Sequence, residues 1–234
     1  MSEKYIGYRK IFIKWFLKIS NKSLKKSTKA KLNKKTIFSD KEKFILKIGQ
    51  ILAELESQLE LLNFFPVFIN SSSYNLEKKG FSKIAQFRYH LECYFSEMYI
   101  LDQRLDRLMR ILTKNIKAKT EKEKLNIIRR KQHQIFDNLL KVGGFHVHKR
   151  KYQDDDLYHM GLLEQYMKSN IDIKNIKKKN YAKKDLKIYL NNNRSKWKKT
   201  INNNNKYVKD GIDKFYHLIF KELKILDKIF KYLS

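Results

Sequence analysis

Cysteine, proline and glycine are scarce in this chain, and each shortage excludes a class of structure. Of 234 residues, one is cysteine, one is proline and seven are glycine. The single cysteine, Cys93, excludes an internal disulfide framework and cysteine-rich zinc sites, and it fits a reducing cytoplasm. Few helix-breaking residues leave long uninterrupted stretches, and a hydrophobic content of 42% allows a packed core. We therefore expect an all-α, cytoplasmic protein, with Cys93 buried in it.

Acidic residues are also under-represented. The chain has 24 Asp and Glu against 53 Lys and Arg, which gives a formal net charge of +29. This excess favours a polyanionic partner, either a nucleic acid or an anionic membrane surface. AT-rich codons, which encode Lys, Asn and Ile, explain part of the excess, but the same codon bias also raises Asp and Glu. Polyanion binding is therefore the broad prediction.

No apolar run near the N-terminus is long enough to span a bilayer. Residues 5–19 are apolar but are interrupted by basic residues, and Lys10, Lys14 and Lys18 recur every four positions. On a helix these lysines form a stripe beside an apolar face. Packing on the protein body, on a partner or on an anionic membrane surface all remain open.

A domain boundary is predicted after this segment. Residues 1–36 contain twelve Lys and Arg against one acid, a density of like charge that disfavours packing. Ser39 and Glu42 then have the spacing of a capping box, which marks the start of a helix. We assign residues 1–36 to a basic N-terminal helix and linker, and 37–234 to a helical bundle domain.

The strongest periodic signal predicts a long central helix at about 82–112. Its apolar residues lie three and four apart, as in the seam of an antiparallel helical bundle. They are Ile84, Phe87, Leu91, Tyr94, Met98, Leu101, Leu105, Leu108 and Leu112. Charged residues off this seam, including Asp102 and Asp106, are expected to be solvated, whereas Arg88 and His90 are candidates for lining a groove.

The flanking segments complete the bundle. We expect Pro66 to end the preceding helix, before a loop at 66–80. On the next helix Arg129 and His133 lie one turn apart and share a face. An amphipathic C-terminal helix is predicted at 212–233.

A second basic tract, rich in Asn and Lys, covers residues 171–206. Between Lys174 and Lys206 there are twelve Lys and Arg against one acid, interrupted by Tyr181, Tyr189 and Trp197 among other apolar residues. Basic residues interleaved with aromatic ones are typical of a surface that grips phosphates and stacks on bases. The same composition also fits a poorly packed pair of lysine-rich helices.

Ionisable groups of both signs, including three of the six histidines, are gathered at 139–166, around a connection between two helices. Gly143 and Gly144 are suited to end the first helix, and Asp154–Asp156 are suited to cap the second. The histidines and aspartates here include ligand types for zinc or manganese, but adjacent aspartates more often serve as a helix cap. We therefore expect no metal and no cofactor.

Two segments together carry a resemblance to a known family. The segment QFRYHLECYFSEMYILDQRLDRLM on the central helix and the later segment KVGGFHVHKRKYQDDDL resemble the HEPN superfamily over roughly residues 40–170. Members are helical bundles prominent in toxin–antitoxin, abortive-infection and CRISPR-associated systems. The resemblance implies metal-independent RNA cleavage by an arginine and a histidine a few residues apart, often composite across a homodimer.

The motif is degenerate in this chain. His148 is the counterpart of the family histidine, but the position five residues before it is Gly143, and the nearest preceding cation is Lys141. A lysine can neutralise a phosphate as a point charge, although it lacks the planar fork of arginine.

From the chemistry of RNA cleavage by its own 2′-hydroxyl, we assign roles within 141–152. His148 supplies acid–base catalysis and His146 supports it, Lys141 and Arg150 contact phosphate, and Tyr152 donates a hydrogen bond or stacks. The predicted function is an endoribonuclease of toxin–antitoxin or phage-defence type, acting as a homodimer and controlled by an antitoxin or other regulatory protein. The alternative is a non-catalytic basic helical module that binds RNA or a protein partner.

Overall fold

The structure, a computed structural model, describes residues 39–142, 155–169, 176–222 and 224. These residues form six α-helices and a final π-helical turn, without a strand among them. The helices are α1 (Asp40–Phe68), α2 (Tyr74–Lys78), α3 (Lys83–Asn115), α4 (Lys119–Val142), α5 (Asp155–Lys168) and α6 (Ile176–Tyr216), and the π-helical turn is His217–Glu222. The prediction of an all-α helical bundle is confirmed.

Helix α1 begins at the predicted capping box. The Ser39 hydroxyl accepts a hydrogen bond from the Glu42 amide at 3.3 Å, and the Ser39 amide donates to the Glu42 carboxylate at 2.9 Å. These bonds satisfy amide groups that a helix start otherwise leaves without partners. The capping box therefore fixes the first residue of the bundle.

The expectation that Pro66 ends this helix is wrong, because α1 continues to Phe68. Proline has no amide hydrogen, so Pro66 does not donate to the carbonyl of Leu62 as the helical pattern requires. The side-chain amide of Asn205 donates to that carbonyl instead, at 2.7 Å. Asn205 thus satisfies the acceptor that Pro66 leaves open.

The loop predicted at 66–80 contains the short helix α2. Ser73 caps this helix by accepting a hydrogen bond from the Leu76 amide at 3.4 Å. The chain leaves the helix at Gly80, whose φ of +88° lies in the left-handed region. Glycine adopts this conformation without the steric cost that a side chain imposes.

The described residues pack into two compact units, each with its own core. The first unit comprises 39–59, 100–135, 206–222 and 224, and the second comprises 60–99, 136–142, 155–169 and 176–205. Residues 1–36 lie outside the described residues, so the assignment of 1–36 and 37–234 to separate domains stays a prediction.

The central helix α3 confirms the predicted seam. All nine seam residues are buried, and none is more than 4% exposed. Cys93 is half-buried rather than buried as expected, because it lies off this seam. At about 1.5 Å per residue, α3 is about 50 Å long. In the part of the chain described here, no helix has both the length and the apolar character that crossing a membrane requires.

Candidate nucleic-acid interface

The residues predicted to form a catalytic site fall almost entirely outside the described part of the chain. This applies to His146, His148, Arg150 and Tyr152 and to the side chain of Lys141, whose backbone belongs to the last turn of α4. The structure does describe the two helices on either side of this segment. Helix α4 leads into it and α5 leads out of it, and these ends of the two helices belong to the second unit.

The first turn of α5 is held in the second unit by two polar contacts. The carboxylate of Asp156 pairs with the ammonium of Lys196 on α6 at 3.1 Å. The carbonyl of Leu157, a buried residue, accepts a hydrogen bond from the Arg88 guanidinium at 3.4 Å. Arg88, predicted as a groove residue, therefore fixes the helix that follows the predicted catalytic segment.

One side of α6 in the second unit is packed into the core. The buried residues are Ala182, Leu190, Asn193, Trp197, Ile201 and Asn205. Trp197 contacts Phe95 edge-on, with ring centroids 5.9 Å apart. The 171–206 tract therefore contributes one well-packed helix, and Trp197 belongs to its core rather than to a binding surface.

The rest of the α6 circumference is rich in lysine, and we call its exposed residues from 181 to 199 the basic face. Its cationic and aromatic residues are Tyr181, Lys183, Lys184, Lys187, Tyr189, Lys196, Lys198 and Lys199, and Asp185 is the one acid between 181 and 199. From Lys183 to Lys199 the face extends for about 24 Å at 1.5 Å per residue. Helix α5 supports it, because the ring of His159 lies 5.2 Å from that of Tyr189.

In the same unit, His90 of α3 lies near Arg194 of α6. Burial, and then the nearby charge of Arg194, lower the pKa of His90 below its ordinary value, which keeps the imidazole neutral at neutral pH. The Arg194 guanidinium donates to the carbonyl of Ser71 at 3.4 Å. His90, which was predicted from the sequence to line a groove, thus has a charged neighbour that the sequence did not indicate.

The first unit contains a separate charged network between α3 and α4. The ring of His133 lies between two carboxylates, with Nδ1 3.1 Å from Asp102 and Nε2 3.0 Å from Asp106. Arg129 also donates to Asp106, and the Gln132 amide donates to Asp102 at 2.8 Å. The expectation that Asp102 and Asp106 are solvated is wrong: they are 6% and 2% exposed, because α4 supplies these partners.

The two carboxyl groups of this network are shifted in opposite directions. Burial raises the pKa of Asp102, although Gln132 and His133 oppose the shift. Burial acts in the same sense on Asp106, but hydrogen bonds from Arg129 and His133, together with the charges of Arg129 and Arg110, outweigh it, so the pKa of Asp106 is lowered. Asp106 is therefore the more strongly ionised of the two.

The network is suited to holding helices together rather than to binding a metal. Both ring nitrogens of His133 lie within hydrogen-bonding distance of carboxylate oxygens, so neither faces an open position where a metal ion could bind. Nowhere in the described ranges is a group of three or more His, Cys, Asp or Glu residues arranged to hold a metal ion. The sequence signal for the network was the helical i,i+4 spacing of Arg129 and His133, which Asp102 and Asp106 repeat on α3.

No protein-family model matches the chain, and neither does any curated protein or solved structure.

Proposed function

We propose that this protein binds RNA through the basic face of α6. The observation that carries the proposal is the sidedness of this helix: a mostly apolar buried stripe fixes one side, and the exposed remainder between 181 and 199 includes six lysines and one acid. Cations held on a rigid helix neutralise successive phosphates and release the counterions condensed on them. Exposed Tyr181 and Tyr189 add rings on which bases stack.

We further propose that RNA bound there is cleaved by the 141–152 segment. The resemblance to HEPN proteins supports this proposal, as does the attachment of α5 to the basic face through the ion pair of Asp156 with Lys196. The chain leaves α4 and enters α5 within the same unit that carries the basic face. RNA on that face would therefore lie on the unit that contains the helical ends flanking the predicted catalytic segment.

The proposed reaction uses the RNA's own 2′-hydroxyl and no metal. His148, supported by His146, takes the proton of the 2′-hydroxyl as its oxygen attacks phosphorus. The bond from phosphorus to the 5′-oxygen then breaks, and His148 passes the same proton to that leaving oxygen. Lys141 and Arg150 neutralise the charge that develops on the phosphorane, and Tyr152 donates a hydrogen bond or stacks. The products are a 2′,3′-cyclic phosphate and a 5′-hydroxyl. A homodimer under the control of a regulatory protein belongs to the same proposal.

RNA binding is tested by two triple substitutions that change the net charge equally. Replacing Lys183, Lys184 and Lys187 with Gln removes three cations of the basic face, whereas replacing Lys119, Lys124 and Lys131, all exposed on α4, is the matched control. Because each phosphate contact to a single strand contributes about 0.7 to the slope of log affinity against log salt, the first variant should lower that slope by about 2. Equal losses in both variants would contradict the assignment to α6.

Cleavage is tested by incubating the protein with labelled total RNA and tRNA in EDTA. Wild type should leave 2′,3′-cyclic phosphate ends, and His148→Ala should abolish them while RNA binding persists. His159→Phe, which removes an exposed histidine of α5 but keeps an aromatic ring against Tyr189, serves as the control. RNA that stays bound and intact with wild type would reject the cleavage proposal and leave the non-catalytic module, the alternative predicted from the sequence.

A further inference from the structure

A set of aromatic rings at the surface of the second unit is arranged differently from the rings of its core. The rings of Phe64 and Phe68 on α1 are nearly parallel, with centroids 6.3 Å apart and planes inclined by 23°. The ring of His90 on α3 continues the series, 5.9 Å from Phe68 at an inclination of 28°. Tyr89 borders this series edge-on: its ring centroid lies 5.7 Å from that of His90, and the two planes are inclined by 60°. We call these four residues the ring ladder.

The outer rings of the ring ladder are exposed to solvent, and its inner rings are half-buried and pack on the core. Phe64 is 57% exposed and Tyr89 is 63% exposed, whereas Phe68 and His90 are half-buried. Phe68 also contacts the buried ring of Phe65 edge-on, with centroids 5.6 Å apart. The outer rings are therefore presented on a rigid base, so little conformational entropy is lost when another ring stacks on them.

A cation accompanies the ring ladder. Arg194 of α6 lies close enough to His90 for its charge to affect the imidazole, and its guanidinium is anchored on the carbonyl of Ser71. The Nε of Arg194 is buried and has no hydrogen-bond partner among the described residues. The helix that carries Arg194 also carries the basic face, with Lys196 and Lys198 two and four positions further on.

We propose that the ring ladder is a stacking site for unpaired bases of single-stranded RNA. This stacking site rests on the proposed function and specifies the class of RNA that is bound. Exposed aromatic faces stack with any base whose own face is free, and bases within a duplex are already covered by their neighbours. Arg194 and the lysines of α6 neutralise the adjoining phosphates. A protein partner would use the exposed apolar surface of these rings but would not require this cationic border.

The experiment compares three probes of the same length by fluorescence anisotropy. They are a single-stranded oligoadenylate of about 12 nucleotides, which lies within the usual single-strand site size of about 4–16, its duplex with oligouridylate, and an abasic ribose-phosphate oligomer. Phe64→Ala should weaken binding of the oligoadenylate about 5- to 150-fold, the usual effect of losing one stacking ring. Binding of the duplex and of the abasic oligomer should change less than twofold.

The matched control is Phe81→Ala. Phe81 is 58% exposed and belongs to the same unit, so its removal deletes an equal amount of exposed aromatic surface. It should leave all three affinities unchanged, and Phe64→Trp should retain oligoadenylate binding. Circular dichroism checks that each variant is folded.

Two results would overturn the stacking site while leaving the proposed function intact. One is salt-dependent binding of all three probes with equal affinity and no effect of Phe64→Ala, which would leave the exposed rings to a protein partner. The other is an equal loss in Phe64→Ala and Phe81→Ala. A wild-type protein that binds none of the probes at low salt would instead refute RNA binding itself.

Discussion

The opposite pKa shifts of Asp102 and Asp106 predict different costs for the same isosteric substitution. Both carboxylates contact His133, both are buried, and they lie one turn apart on α3. Replacing either by Asn keeps the volume and removes the charge. Because its partners favour the ionised form, Asp106→Asn should be strongly destabilising at pH 7. Asp102→Asn should cost less, because burial already disfavours the charge it removes.

The size of the Asp106 effect follows from its contacts. The substitution weakens the charge-assisted hydrogen bonds from Arg129 and His133, whose side chains are 33% and 35% exposed. Such bonds contribute about 1.5–3 kcal/mol each when buried, and exposure reduces this, so the expected loss is about 2–3 kcal/mol. With a urea m-value of about 2–3 kcal/mol/M, the unfolding midpoint should fall by about 1 M.

The pH dependence tests the reasoning independently. The pKa of Asp106 is lower in the folded state than in the unfolded state, so its contribution is complete above its unfolded pKa of about 3.9 and is lost as the pH falls through the lower folded value. The difference between wild type and Asp106→Asn should therefore shrink below about pH 4. Urea is the suitable denaturant because it adds no salt. A loss equal at pH 7 and pH 3, or a larger loss in Asp102→Asn at pH 7, would refute the argument.

Two further predictions concern the backbone. Gly80→Ala should destabilise the protein by about 1–2 kcal/mol because a φ of +88° is unfavourable for alanine. Gly211 lies inside α6 with open space at its Cβ position, so Gly211→Ala should stabilise the protein by about 0.5–1 kcal/mol. Urea unfolding measures both changes, and a stabilising Gly80→Ala would contradict the prediction. Ser39→Ala removes the cap of α1 and should cost about 1 kcal/mol, with faster hydrogen exchange of the Glu42 amide and no change at Leu76, which Ser73 caps.

The parts of the fold that sequence reasoning predicted are those set by local periodicity. The seam of α3 repeats every three or four residues, and burial of one helical face requires no knowledge of what covers it. The capping box of α1 is also local, because Ser39 and Glu42 are three positions apart. Both features are present in the structure as predicted.

The features that escaped prediction depend on partners far away in the chain. Helix α1 continues past Pro66 because Asn205, 143 positions after Leu62, supplies the missing donor. Asp102 and Asp106 are buried because another helix brings Arg129 and His133 to them. The i,i+4 spacing within each helix indicates which residues share a face, but it does not indicate that the two faces meet.

The candidate site likewise combines features that the local sequence indicated with features that depend on distant parts of the chain. Lysines and tyrosines at 181–199 were recognised from composition, but only the buried stripe of α6 shows which of them are exposed and that Trp197 is not. The near-parallel rings of Phe64, Phe68 and His90 depend on the pairing of α1 with α3, which the sequence does not encode locally. The assignment of His148 and its neighbours stays a prediction because that segment lies outside the described residues.

The hydrogen bond from Asn205 to Leu62 can form only late in the synthesis of the chain. Its donor is translated 143 residues after its acceptor, and both units include parts of α6 or the residues after it. At about 5–20 residues per second, a ribosome takes about 7–30 s to cover that distance. During this interval the apolar faces of α1 and α3 are synthesised but lack their last covering helix. A chaperone that covers apolar helices on nascent chains should therefore raise the yield of folded protein more than one that acts after release.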